Sequence, residues 1–75
     1  MKLDELKKEY LKETEKLLGS GQEALQVELL EIDTLDKFKE MLIEDSRVWH
    51  REGAEHDHHL YHKIGWLADK YIKTL

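Results

Sequence analysis

Hydrophobic residues at the start of the chain recur at the spacing of an α-helix. Leu3, Leu6, Tyr10 and Leu17 follow one another at intervals of three, four and seven residues. These intervals place all four side chains on one side of a helix, with polar residues around the rest of the circumference. The pattern predicts a first helix over about residues 2–18.

A glycine-containing turn follows this predicted helix. Gly19 stands where a left-handed C-terminal cap is favoured, and Ser20 with Glu23 has the form of a capping box that opens a second helix. Residues 22–32 fit a strand and a helix about equally well, because their hydrophobic positions both alternate and recur at helical spacing. We expect a helix, since no other segment offers an alternating, β-branched run with which a lone strand could pair.

The second half of the chain also shows helical spacing. Asp33 or Thr34 can cap a helix that begins there. Gly53 either ends this helix or lies inside it, at a cost of about 1 kcal/mol relative to Ala. Because the hydrophobic stripe continues on both sides of Gly53, we favour one long helix to about residue 74, bent at that glycine. The stripe consists of Leu35, Phe38, Leu42, Trp49, Gly53, His56, Leu60, Ile64, Leu67 and Tyr71.

These patterns predict an all-α protein, either a helical hairpin or a three- to four-helix bundle, that forms one domain over residues 1–75. No internal repeat is apparent. The absence of Pro and the presence of only four Gly favour long helices. A core this small leaves little net stability, and without Cys no disulfide can add to it, so we expect homo-oligomerisation to complete the core. The predicted core and interface residues are Leu3, Leu6, Tyr10, Leu35, Phe38, Leu42, Trp49, Leu60, Ile64, Leu67 and Tyr71.

The charge of the chain is concentrated in its middle. The formal net charge is −5, and residues 22–45 carry eight acidic residues against two lysines. An acidic chain lacks the clustered basic surface that direct nucleic-acid binding requires. No stretch approaches the ~20 apolar residues of a membrane span, and Asp4 and Glu5 stand where a signal peptide would be apolar. We therefore expect a cytoplasmic protein without a membrane or nucleic-acid partner.

The five histidines of the chain all lie within thirteen residues: His50, His56, His58, His59 and His62. Imidazole is the commonest metal ligand in proteins and changes its charge near neutral pH. On a continuous helix Glu55, His58, His59 and His62 share one face, and histidines at i and i+4 can chelate a divalent ion. These four residues are the candidate ligands for Zn²⁺ or another divalent transition metal, although a solvated polar face is the commoner role of such a pattern. No cofactor is required by the sequence.

Other residues bear on the class of function. His56 lies on the apolar stripe, where a buried core or interface histidine is expected, and its protonation would loosen an oligomer in mildly acidic solution. Trp49 and Trp66 fall on different faces of a continuous helix, and at least one is expected at an interface. The only serines, Ser20 and Ser46, give no credible Ser/His/Asp triad, and no phosphate-binding loop is present. We predict no enzymatic activity and no catalytic residues.

The sequence thus favours a regulator or inhibitor that binds a protein partner. An acidic face that mimics nucleic acid would suit a partner with a basic surface. A metal-binding or metal- or pH-responsive module built on residues 50–62 is the alternative. The Lys- and Glu-rich composition without Cys or Pro is similar to that of many small bacterial or phage proteins. The candidate partner-binding residues are Glu28, Glu31, Asp36, Glu40, Glu44, Trp49 and Trp66.

Overall fold

The computed structural model describes residues 2–75, and these residues form four α-helices. They are α1 (Lys2–Leu18), α2 (Glu23–Glu31), α3 (Leu35–His56) and α4 (His59–Thr74). The described residues contain no strand, so the all-α prediction is confirmed and residues 22–32 are helical, as favoured. None of the four helices is both long enough and apolar enough to cross a membrane. The predicted homo-oligomer stays a prediction.

The chain divides into two compact units, with the boundary between Phe38 and Lys39 inside α3. In unit 1, which ends at Phe38, the rings of Tyr10 and Phe38 meet edge to face, with centroids 6.1 Å apart. The Lys7 ammonium donates a hydrogen bond of 2.8 Å to the carbonyl of Ile32, just beyond the end of α2. The buried side chains of unit 1 are those of Leu3, Tyr10, Thr14, Leu29, Ile32 and Phe38.

The turn between α1 and α2 confirms one predicted cap and corrects another. Gly19 has φ +96° and donates its amide to the carbonyl of Glu15, as predicted for a left-handed C-terminal cap. The predicted capping box of Ser20 and Glu23 is wrong. Gly21 also has a positive φ, of +87°, so the chain turns once more and Gln22 becomes the residue before α2.

Helix α3 is capped by one of the two predicted residues. The hydroxyl oxygen of Thr34 accepts a hydrogen bond of 3.1 Å from the backbone amide of Lys37, which satisfies one of the free amides of the first turn. Asp33 instead forms an ion pair of 3.0 Å with Lys37.

Unit 2, Lys39–Leu75, contains most of α3 and all of α4. Ser46 bonds to Asp69, whereas Gly53, further along α3, lies against His62, nearer the start of α4. Contacts in this reversed order mean that the two helices run antiparallel as a helical hairpin. Its buried hydrophobic side chains are those of Met41, Leu42, Ile64, Leu67, Ala68 and Tyr71.

The helix continues through Gly53, as favoured, but the prediction that it runs on to about residue 74 is wrong, because the chain reverses between α3 and α4. The helix ends at His56, and Asp57 adopts the left-handed conformation with φ +50°. The amide of His58 donates to the carbonyl of Gly53, which is the hydrogen bond of a Schellman C-cap. Asp is one of the few residues other than Gly that tolerates this conformation, so the helix ends at His56, three residues after the glycine.

Most of the predicted core residues are buried in the structure. Seven of the predicted residues are buried, and Leu6, Trp49 and Leu60 are partly buried, but Leu35 is 44% exposed at the start of α3. The expectation of a buried His56 is wrong: at the end of α3 this residue is exposed, and its Nε2 lies 3.0 Å from a carboxylate oxygen of Glu52.

Candidate functional site

Two of the five histidines meet inside the hairpin of unit 2. His50 on α3 and His62 on α4 are partly buried, and their Nδ1 atoms lie 3.1 Å apart. The ring centroids are 5.4 Å apart and the ring planes are inclined by 36°. A ring nitrogen of each histidine is thus directed at the other ring across the helix–helix contact.

Each histidine packs against a glycine of the opposite helix. A Cβ added at Gly65 would lie 2.7 Å from the ring of His50, and one added at Gly53 would lie 2.9 Å from the ring of His62. Real Cβ atoms are not found so close to other atoms, so any larger residue would displace the imidazoles. The buried glycines therefore make the space in which the two rings meet.

A short internal repeat, which the hydrophobic pattern did not reveal, underlies this arrangement. Residues 49–53 read Trp-His-Arg-Glu-Gly and residues 61–65 read Tyr-His-Lys-Ile-Gly. Both segments follow the order aromatic, histidine, basic, any residue, glycine, which puts the glycine one helical turn after the histidine. In the hairpin the two segments face each other, and the rings of Trp49 and Tyr61 also meet, with centroids 5.3 Å apart.

A carboxylate fixes the orientation of one imidazole. Asp69 Oδ2 lies 3.0 Å from Nε2 of His50, and the Ser46 hydroxyl donates a hydrogen bond to Asp69 Oδ1. Partial burial raises the pKa of the Asp69 carboxyl, but the hydrogen bonds from Ser46 and His50 lower it by more, so that it lies below its ordinary value. An ionised carboxylate only accepts hydrogen bonds, so Nε2 of His50 carries a proton. In neutral His50 the lone pair is then on Nδ1, the atom that faces His62.

Aromatic rings border the pair on its exposed side. Trp66 stacks on His62 with centroids 6.0 Å apart and ring planes 24° apart, and its centroid is 6.4 Å from that of His50. His59 meets Trp66 edge on at 5.5 Å. Because 51% of Trp66 is exposed, the histidine pair lies beside a large apolar surface.

The structure separates the four predicted metal ligands. Glu55 belongs to α3, His58 lies in the connection, and His59 begins α4, so the single helical face on which the prediction relied does not exist. The ring of His58 stacks on Tyr61 at 4.4 Å, and of the four residues only His62 joins the pair described above. In the described part of the chain, the side chains that come within reach of one ion in a group of three are Glu52, Glu55 and His56.

The predicted partner-binding carboxylates are all exposed. Glu28 and Glu31 lie on α2, and Asp36, Glu40 and Glu44 lie on α3. Unit 1 also has an open groove of about 410 Å³ between α1 and α2. At its edge Leu30 is 82% exposed, and Val27, one turn earlier on α2, is 56% exposed, so two apolar side chains reach the surface there. Trp49 is partly buried against Tyr61, so Trp66 is the more accessible of the two tryptophans.

The polar chain in unit 2 is not arranged as a nucleophilic triad. In such a triad the histidine lies between the serine and the carboxylate and takes the serine proton. Here Asp69 lies between Ser46 and His50, and the Ser46 proton is donated to the carboxylate. The arrangement instead orients an imidazole, which is the function that carboxylates perform behind many metal-binding histidines.

Comparison of the chain with protein-family models, with curated proteins and with solved structures finds no match.

Proposed function

We propose that this protein is a small helical module that binds a transition-metal ion between His50 and His62. The observation that carries the proposal is the distance of 3.1 Å between the two Nδ1 atoms. Two nitrogen ligands that each lie 2.0–2.1 Å from a tetrahedral ion are roughly 3.3 Å apart. A small outward movement of the rings would bring both nitrogens to a common ion.

The environment of His50 supports this proposal. A metal-binding histidine usually donates its second N–H to a carboxylate, which fixes the tautomer and makes the ligating nitrogen more basic. Asp69 accepts the Nε2 proton of His50 at 3.0 Å, and Ser46 holds the other oxygen of the same carboxylate. A proton on Nε2 leaves the Nδ1 lone pair of neutral His50 available to the ion.

The donor set indicates which ions would bind. Imidazole nitrogens suit borderline ions such as Zn²⁺, Ni²⁺ and Cu²⁺, whereas Mg²⁺ and Ca²⁺ prefer oxygen ligands. The chain contains no Cys, so no thiolate competes for the ion. Zn²⁺ is the ion with which we would begin.

In the metal-free protein the short distance is that of a hydrogen bond in which His62 donates its Nδ1 proton to His50, and this proton must leave before both nitrogens can bind an ion. Calorimetric titration of metal-stripped protein with Zn²⁺ shows whether the pair also binds metal, because a pair that is only hydrogen-bonded would show no saturable binding. We expect saturable binding that is lost in the double variant His50→Ala/His62→Ala. In Asp69→Asn we expect affinity about 10- to 100-fold weaker, because the positioning carboxylate is replaced.

The matched control is the double variant His56→Ala/His58→Ala. It also removes two imidazoles, but one ends α3 and the other lies in the connection before α4. Zinc binding should remain as in the wild-type protein. Affinity that disappears in this control and persists in His50→Ala/His62→Ala would contradict the proposed site.

We also propose a second function, carried by a different observation: the exposure of Leu30 beside the groove of unit 1. An exposed leucine at a groove lined by Leu11 and Leu29 suits a protein partner that offers an apolar side chain. Asp4 and Lys8 also line the groove and can pair with charges of the partner. This retains the predicted regulator that acts by protein binding. It does not depend on the histidines.

Isolation of binding partners with wild-type protein and with Leu30→Asp would test this second function. A partner that uses the surface should bind the wild-type protein, bind Leu30→Asp much more weakly, and lose affinity as the salt concentration rises. Ala24→Asp, at an exposed position of α2 outside the groove lining, is a control that adds the same single negative charge elsewhere. Equal binding to wild-type protein and to Leu30→Asp would exclude the Leu30 surface.

A further inference from the structure

The histidine pair provides only part of a metal coordination sphere. Zn²⁺ in proteins is almost always bound by four ligands, or by three with a water molecule. Within the residues that the structure describes, neither His50 nor His62 belongs to a group of three or more potential ligands within reach of one ion. Asp69 already accepts hydrogen bonds from Ser46 and His50. The remaining ligands must come from water or from another molecule.

The surface beside the pair is suited to contact with another molecule. Trp66 stacks on His62 and is 51% exposed, and aromatic side chains are enriched in protein interfaces. A second molecule that approached the pair would cover this indole at the same time as it supplied ligands.

The net charge of each unit indicates which unit can more readily contact a second copy of the chain. Residues 1–38 carry ten acidic against six basic residues, a net charge of −4. Residues 39–75 carry seven acidic against six basic residues, a net charge of −1. Two copies of unit 2 would therefore repel each other much less than two copies of unit 1.

We infer that the metal ion is shared by two copies of this chain, each of which contributes His50 and His62 across a two-fold axis. This inference rests on the proposed metal-binding function. Four imidazole nitrogens then complete a tetrahedral site of the kind that Zn²⁺ prefers. The contact is isologous, so Trp66 of each chain lies at the same interface.

The local charge of such a site is balanced. Each chain brings one ionised carboxylate, that of Asp69, behind one of its two ligands. Two carboxylates neutralise the two positive charges of one zinc ion, while the four imidazoles are neutral. A buried ion without compensating charge would be costly, and this arrangement avoids that cost.

Light scattering of metal-stripped protein during a zinc titration tests the inference on the unmodified chain. We expect the mass to rise from that of one 9.0 kDa chain to about twice that value, to level off at half an equivalent of Zn²⁺, and to return when a chelator is added. Zinc bound at one ion per chain without a change in mass would overturn the shared site and leave the proposed metal-binding function standing. Absence of zinc binding would overturn both, and a dimer that forms equally well without metal would overturn the inference alone.

Three variants locate the contact. His56→Ala/His58→Ala should dimerise with zinc like the wild-type protein, whereas His50→Ala/His62→Ala should remain a monomer. Trp66→Ala retains both ligands, so it should still bind zinc, but its zinc-bound dimer should dissociate at a higher protein concentration than that of the wild-type protein. A Trp66→Ala dimer that resists dilution as well as the wild-type dimer would remove this residue from the interface.

Discussion

The two units of this protein have the same secondary structure but differ in how they use polar groups. Unit 1 is held by apolar contacts such as that between Tyr10 and Phe38, and its buried Thr14 hydroxyl has no hydrogen-bond partner. In unit 2, by contrast, Ser46, Asp69, His50 and His62 form one connected chain of hydrogen bonds.

This difference raises the question of why unit 2 contains a polar network. A continuous polar network inside a small hairpin restricts each member to one geometry, at the expense of apolar burial. Unit 1 instead buries apolar side chains between its helices, with the hydrogen bond from Lys7 to Ile32 beside them. The proposed metal site would account for the polar chain of unit 2.

The largest expected effect is at the apolar core of unit 1. Phe38 is completely buried, so Phe38→Ala should lower the free energy of unfolding by about 3–5 kcal/mol, measured by urea denaturation. The control is Leu35→Ala, one turn earlier and 44% exposed, which should change stability far less. Similar losses in both variants would show that burial of the Phe38 side chain does not stabilise unit 1.

In unit 2 the corresponding test is Gly65→Ala. Replacement of a helical glycine by alanine ordinarily stabilises a helix by about 1 kcal/mol. Here the new Cβ would lie 2.7 Å from the His50 ring, so we expect a loss of about 1–3 kcal/mol instead. In a His50→Ala background the same substitution should become stabilising. A stabilising Gly65→Ala with His50 in place would argue against the close contact, and thermal denaturation of the four proteins measures the difference.

A smaller effect of opposite sign is expected at Thr14. Its Oγ1 is buried and lacks a hydrogen-bond partner, so Thr14→Val removes the unfavourable desolvation while it preserves the shape of the side chain. We expect a gain of about 1 kcal/mol in the free energy of unfolding. The contrasting variant in unit 2 is Ser46→Ala, which removes a partnered hydroxyl and should destabilise. If both variants destabilise the protein to the same extent, the contrast between the two units fails.

The smallest effect concerns the exposed ion pair that precedes α3. The hydrogen bond and charge of Lys37 hold the pKa of Asp33 below its ordinary value. The pair therefore stabilises the folded state above the ordinary pKa of an aspartate, and this contribution disappears as the pH falls through the lower folded-state pKa. Thermal midpoints from about pH 6 to 2 should fall slightly less in Asp33→Asn than in the wild-type protein. A steeper fall in the variant would show that the ion pair does not stabilise the folded protein near neutral pH.

Much of the helical fold follows from the local sequence. The spacing of Leu3, Tyr10 and Leu17, followed by Gly19, gave the bounds of α1 correctly, because hydrophobic period and glycine cap agree there. At the second predicted helix end these signals conflict. Gly53 suggested a stop or a bend, but the chain reverses at Asp57, whose left-handed conformation is favourable only together with the hydrogen bond from His58 to Gly53.

The candidate site was harder to predict for the same reason. With one helix assumed through residue 74, His50 and His62 could not meet, and the neighbouring His58 and His59 were grouped with His62 instead. Only the reversal brings residues twelve positions apart into contact. Asp69 and Ser46 carry no motif in the sequence, so their part in orienting His50 depends on the antiparallel order of the two helices.

The reciprocal packing of histidines and glycines also limits how this hairpin can change during evolution. A larger residue at position 65 must displace the His50 ring from its contacts with Asp69 and His62, and one at position 53 must likewise displace the ring of His62. Each histidine and its facing glycine should consequently be inherited as a pair. In descendants that have lost one histidine, we expect the opposite glycine to be the next position to drift, most readily to alanine.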